Sequence, residues 1–436
     1  MASDHTNWIQ KFETFEADLN GHAGSLHELR KTAIADFERL GYPTTADEAW
    51  KSVNLSPLIT PDFQYAPPAN ISKSDLAPFV YSSLKSIRLT FINGHFSPDH
   101  SDLTNLPKGV SVKNLAEVSN HEVVHNYLGK LAKPKTLAFT ALNTAFIDDG
   151  AFIHIDRNTV LERPIHLLFY TTEANTPITS HPRSLIVAEK NSQVSLVETF
   201  AGSGTYLTNA VTEIVAKDNA NINHVRIELE SDNGLHVANL QADLNRSSTF
   251  TSHVFSIGGA FVRNDISAHL RGEGSEATVN GFYMLEESQH IDNYTLLEHV
   301  APHCPSHELY KGILSGSSRA VFRGKIHVHQ EAQNTDAYQQ NENILLSDNA
   351  RINTKPQLEI YADEVKCSHG ATVGQLDENA LFYLQARGIP KPEARRILLR
   401  AFADDVVGRV KLEPVRTHLK NLIDAKLERI YKKETA

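Results

Sequence analysis

Three observations predict a mainly β protein, built as a parallel β-helix with helical segments at both ends. Between residues 90 and 375 apolar positions alternate with polar ones, as in Val194 and Leu196, Val211 to Val215, and Ile222, Val225, Ile227 and Leu229. Such alternation puts one face of a strand in a core and the other outside. Short polar turns separate these runs with no helix between them: Lys190–Ser192, Lys217–Ala220, Arg246–Ser248, Gly272–Ser275, Ser315–Ser318 and Ser347–Ala350. Most recur at about 26–32 residues, with one longer gap near residue 300, and periods of that size mark solenoids whose coils stack to bury a common core. Helical periodicity is confined to the two ends. A β-sandwich is the alternative that the residues leave open. The expected division is 1–90 (helices and linker), 91–375 (β-helix) and 376–436 (helices).

In the first region Phe12, Phe15 and Leu19, then Leu26, Leu29, Ile34, Phe37 and Leu40, fall at helical spacing. Ser25 with Glu28 forms a capping-box pattern, and Gly41-Tyr42-Pro43 ends the helix. A short helix and turn follow through Trp50 and Ile59, and Trp50 is expected to pack rather than to react. Prolines 57, 61, 67 and 68 mark an irregular linker.

The best single strand lies between Arg319 and His329. Phe322, Gly324, Ile326 and Val328 share one face and belong to the core; Arg323, Lys325, His327 and His329 share the other. After residue 376 a helix over Glu378–Arg387 stops at Gly388-Ile389-Pro390. Two amphipathic helices follow, striped by Ala394, Leu398, Ala401, Phe402 and Val406, then by Val415, Leu419, Leu422, Ile423, Leu427 and Ile430. Their default role is to cap the open end of the solenoid, the alternative being to dock a partner.

A net charge of −10 argues against a general nucleic-acid binder. No apolar run approaches a membrane span, and the first residues carry no basic and apolar leader. Two cysteines in 436 residues form no disulfide framework, which predicts a reduced, cytoplasmic protein. Phosphate-loop, dinucleotide and nucleophile-elbow motifs are missing, so ATP and dinucleotide chemistry by those routes are not expected.

Three groups of residues remain as candidates for chemistry. His327 and His329 form an outward pair without a third ligand at a recognisable spacing. His303, Cys304 and His307 sit in the longer gap, which reads as a loop, and lack the paired spacing of a structural zinc site. Cys367 and His369 stand two apart on an extended stretch, with Val365 on their face and Lys366 and Glu364 on the other. Thiolate and imidazole suit iron, copper or zinc, but two ligands complete no site, so others must come from elsewhere. A buried cysteine beside a hydrogen-bonded histidine is the bland alternative.

The stretch that holds this pair, Tyr361-Ala-Asp-Glu-Val-Lys-Cys-Ser-His-Gly-Ala-Thr-Val-Gly-Gln-Leu-Asp-Glu378, resembles the SufB/SufD family of iron–sulfur cluster assembly scaffolds. Phe322-Arg-Gly-Lys-Ile-His-Val328, Gln333-Asn-Thr-Asp336, Asn343–Ser347, Ala380–Gly388 and Ala394–Ala403 carry the same resemblance. Gly41-Tyr-Pro43 and Glu48-Ala-Trp-Lys51 are similar to the SufD branch rather than to SufB. The resemblance implies a right-handed parallel β-helix between helical domains and a non-catalytic scaffold. It also implies a SufB-like partner bound through the β-helix and a SufC-like ATPase bound through the C-terminal helices, with sulfur supplied by a cysteine desulfurase. It implies that His369, and less directly Cys367, helps hold a transient cluster shared with SufB. A stand-alone β-helix metalloenzyme using His327, His329 and His369, or a purely structural subunit, are the alternatives.

Overall fold

A computed structural model describes residues 6–19 and 26–434. Ser25, the expected cap, lies outside the described residues, and the helix it would start runs from His27 to Leu40.

The centre is a β-solenoid of about eight turns. Each turn gives one strand to each of two facing sheets. The first sheet takes Ala151–Ile155, Arg183–Ala188, Tyr206–Ala216, Leu235–Leu244, Phe261–Leu270, His290–His299, Arg319–Val328 and Arg351–Ile360 in that order. The second takes Ile87–Ile92, Ile165–Thr171, Gln193–Gly202, Asn221–Leu229, Thr249–Ser256, Glu276–Leu285, Pro305–Leu314, Thr335–Leu345 and Val365–Gly374. Successive strands in a sheet are parallel, and register partners such as Leu235 with Phe261 and Arg319 with Arg351 set the coil length.

The corners explain the turn signal. Along one edge Asn191, Asn219, Ser247, Gly274, His303 and Asn334 all adopt positive φ. Their backbone N–H groups donate to the next coil: Asn219 to Arg246, Ser247 to Glu273, Gly274 to Pro302, His303 to Gln333 and Asn334 to Glu364. Asparagine and glycine tolerate this conformation best. The turns at Gly316 and Ser347–Ala350 belong to the opposite edge, where Glu287 also has positive φ. The longer gap near residue 300 therefore does not exist. The turn series changes edge there, and the corners at Glu287 and His303 carry residues that do not look like turns. His303–His307 is likewise no loop, because strand Pro305–Leu314 begins inside it.

One end of the solenoid is closed. His95–Phe96 pairs antiparallel with Ile87–Ile92, and Val110–Asn114 pairs antiparallel with Ala151–Ile155. Phe96, Leu103 and Leu106 pack onto the internal core there. The other end, at Arg351–Ile360 and Val365–Gly374, has no following strand.

Helices cover both outer faces. Phe12, Phe15, Phe37, Trp50 and the helix Ala138–Ala145 pack on Leu207, Leu235, Val237 and Phe261 of the first sheet. Trp50 is buried with Arg263 stacked 4.4 Å over its ring, in the packing role expected of it. Arg323 also points outward but is buried, donating to the Ala49 carbonyl at 2.5 Å. On the other side, Leu399, Ala403, Val406, Leu419, Ile423 and Leu427 pack on Val225, Ile227, Phe255, Phe282, Met284 and Ile313 of the second sheet. The helices Lys391–Val407 and Glu413–Glu434 thus do not cap the open end. Their apolar stripes match the apolar outer face of the second sheet, which offers more area than the end of a coil. Among the described residues no helix is long and apolar enough to cross a membrane.

Candidate functional site at the open end of the solenoid

Cys367 and His369 lie on the last strand of the second sheet, Val365–Gly374. Register partners in a parallel sheet present their side chains on the same face. Cys367 is paired with Ala337 and His369 with Gln339. Ala337 is fully buried in the internal core, and Val365 and Cys367 pack against that core. The pair therefore stands on the face that looks into the solenoid, with Val365 beside it, while exposed Lys366 alternates to the outside. Cys367 is half-buried and burial pushes its thiol above the ordinary range. His369 is exposed because no further coil covers it.

Beneath His369 the inward positions of the second sheet turn polar. Near the closed end inward positions are filled by Val194, Leu196, Ile222 and Phe250. Toward the open end they become Glu308, Gln339, Asn341 and Asn343, all buried. Gln339 Nε2 donates to Glu308 Oε2 at 2.7 Å, and Asn343 Nδ2 donates to Asn341 Oδ1 at 2.7 Å. Burial raises the Glu308 carboxyl to about 7, against the opposing pull of Thr295 and Gln339. On the outer face of the same strands a cleft of about 380 Å³ is lined by Asn280, His307, Tyr338, Gln340, Ser368 and Arg409, among others. Glu308 and Gln339 escaped the sequence reading. A signal for Gln339 was present in Thr335–Leu345, where both alternate faces are polar, a pattern that fits neither an ordinary core strand nor a half-exposed one; Glu308, on Pro305–Leu314, had none.

The other candidates are placed apart from this end or are engaged already. His327 Nδ1 donates to the Glu359 carboxylate at 3.1 Å, and His329 Nε2 to that of Glu298 at 2.9 Å. Both are on the outer face of the first sheet, so they do not join His369. Cys304 is fully buried at a corner, its thiol donating to the carbonyls of Gly272 and Pro302 at 3.4 Å, while His307 stacks on Tyr338 outside. Among the described residues, no three or more His, Cys, Asp or Glu are grouped to hold a metal ion. Cys367 and His369 are thus two donors without a third among the described residues.

The open end is also where apolar surface is concentrated. Of the large hydrophobic residues exposed among those described, Tyr338, Ile360, Tyr361, Val373, Phe382 and Tyr383 lie on the final turns or on the helix Glu378–Ala386 that leaves them. That helix buries none of its residues.

Comparison with known proteins places most of the chain's length in one family. The family described as SUF system FeS cluster assembly, SufBD core domain, matches residues 169–402, and the SufBD protein N-terminal region matches residues 2–167. An iron-sulfur cluster assembly SufBD family protein of Synechocystis is 33% identical over 424 residues, covering 94% of this chain and 93% of its own length. The iron-sulfur cluster assembly protein SufD of Escherichia coli is 32% identical over 388 residues, covering 87% and 88%. The protein of that name from Bacillus subtilis is 27% identical over 293 residues, covering 66% and 67%.

Proposed function

Because this chain belongs to the SufBD family of the SUF iron–sulfur cluster assembly system, we propose that it is a SufD-like scaffold subunit that completes its site with a second protein. The partner is a SufB-like subunit set against the open end of the solenoid. A nascent iron–sulfur cluster forms at that junction as cargo, held on this side by the imidazole of His369 and secondarily by Cys367. A SufC-like ATPase docks on the C-terminal helices and supplies ATP hydrolysis, for which this chain has no site of its own. Sulfur reaches the complex from a cysteine desulfurase. The protein acts in the cytoplasm and catalyses no reaction alone.

The observation that carries this reading is the single open end, where two soft donors, unpaired strands and exposed apolar side chains coincide. Unpaired edges recruit a further strand, and exposed apolar patches mark interaction sites. Two donors on one subunit leave a cluster unfinished, so the partner supplies the rest.

The test is co-purification with SufB-like and SufC-like subunits, followed by anaerobic loading and assay of iron and sulfide. His369→Ala is expected to lose most of the cluster while the complex still forms. Cluster content equal to that of the parent complex would sink the ligand role. If neither His369→Ala nor Cys367→Ala lowers it, the subunit is structural.

A further inference from the structure

Gln339 stands one strand below His369 on the same inward face, 2% exposed, and its carboxamide oxygen has no hydrogen-bond partner. A buried amide oxygen left unpaired is destabilising, so its presence asks for an explanation. The rest of the side chain is fixed. Its nitrogen donates to Glu308 Oε2 at 2.7 Å, and Glu308 is 3% exposed one strand further in. Across the interior the amide nitrogen lies against Gly324, where a Cβ would come within 2.3 Å of it. Gly324 therefore leaves the space that Gln339 occupies, and any larger residue would push it aside.

With the nitrogen committed to a carboxylate, the oxygen is the free end of the amide. Gln339 and His369 are register partners on adjacent strands, about 4.8 Å apart; the exposed imidazole is not bonded to the oxygen in the isolated chain and has room to turn a ring N–H toward it. A metal-bound histidine commonly donates its second N–H to an oxygen acceptor that fixes tautomer and ring orientation.

We propose that Gln339, held by Glu308 and seated against Gly324, is the positioning residue for His369, accepting the imidazole N–H so that the other ring nitrogen faces the cluster. This rests on the reading of His369 as a cluster ligand. Gln339 touches no cluster atom and acts only through the imidazole.

The test uses the assembled complex with SufB-like and SufC-like subunits, following release of cluster iron to a chelator. Gln339→Met keeps the volume and removes the acceptor; it is expected to speed release roughly tenfold. The double variant Glu308→Gln with Gln339→Glu reverses the donor in the buried pair and keeps an acceptor oxygen at position 339; it is expected to restore the parent rate. Ring ¹⁵N spectra of the histidine-labelled chain, assigned by difference from His369→Ala, should show one tautomer of His369 in the parent and a mixture in Gln339→Met. Unchanged release and an unchanged tautomer in Gln339→Met, with His369→Ala losing the cluster, would overturn the positioning role and leave the ligand role intact. Failure of the double variant to restore release, with the parent unfolding midpoint retained, would overturn it as well. No effect of His369→Ala would overturn both.

Discussion

At the scale of single residues, Glu308 is the most consequential side chain that the sequence did not advertise. It looks like one more charge on a strand, yet register turns it into the solenoid, where burial raises its carboxyl from 4.5 to about 7. Between those values the folded state holds a proton that the unfolded state has released. Stability from this group is therefore complete below pH 4.5 and is lost as pH rises through about 7. A shift of that size corresponds to about 3 kcal/mol. Glu308→Gln removes the titration and leaves a partner for Gln339. Urea unfolding should show the variant gaining on the parent by up to about 3 kcal/mol between pH 4.5 and pH 8. Parallel stability curves over that range would mean that the Glu308 carboxyl titrates alike in the folded and unfolded chain, so that burial does not shift it. Cys367 and His369 were legible at this scale for a simple reason. Residues two apart on a strand share a face whatever the surrounding fold, so their juxtaposition needed no knowledge of register.

At the scale of elements, adjacent strands in the solenoid accommodate large rings by exchanging them for glycine. Gly281 lies beside Tyr310, and Tyr283 beside Gly312, on the strands Glu276–Leu285 and Pro305–Leu314. A Cβ on Gly281 would meet the Tyr310 ring at 2.1 Å, and one on Gly312 would meet the Tyr283 ring at 2.2 Å. Tyr310 and Tyr283 are both buried and packed between neighbouring coils, so neither ring has room to withdraw. Gly281→Ala should destabilise the protein by about 1–3 kcal/mol in chemical denaturation, as overpacking does. A loss under about 0.5 kcal/mol, the level of a surface change, would show that the ring moves freely. Strand patterns such as Phe322, Ile326 and Val328 were legible because alternation reports burial directly. The corner at His303 was not, since a histidine with positive φ carries no turn signal and is imposed by its N–H bond to Gln333. Nor was the seat of the C-terminal helices. Their stripes show that a face is buried, but the surface that buries it, around Phe255 and Phe282, lies more than a hundred residues away in the chain.

At the scale of the whole molecule, the solenoid is polar in the sense of having unlike ends. At one end short antiparallel strands, His95–Phe96 and Val110–Asn114, finish the two sheets, and Phe96, Leu103 and Leu106 pack over the core. At the other, Arg351–Ile360 and Val365–Gly374 are each hydrogen-bonded on one side only. Unpaired edges of this length invite uncontrolled pairing unless they are blunted. Pro356, which offers no N–H, and the charges of Lys355, Glu359 and Lys366 serve that purpose on these strands. They leave the end open to a strand that matches them, as the proposed SufB-like partner requires. Hydrogen exchange tests this directly. In the isolated chain, amides of residues 351–360 and 365–374 that point away from the preceding coil should exchange far faster than those of Tyr206–Ala216 or Leu235–Leu244, which are paired on both sides. Addition of a SufB-like subunit should slow exchange in 351–374 and leave residues 87–114 unchanged. A SufC-like subunit should instead slow exchange in the helices beyond residue 378. Protection by the SufB-like subunit at the closed end, or protection spread evenly over the solenoid, would mean that the open end is not where the two scaffolds meet.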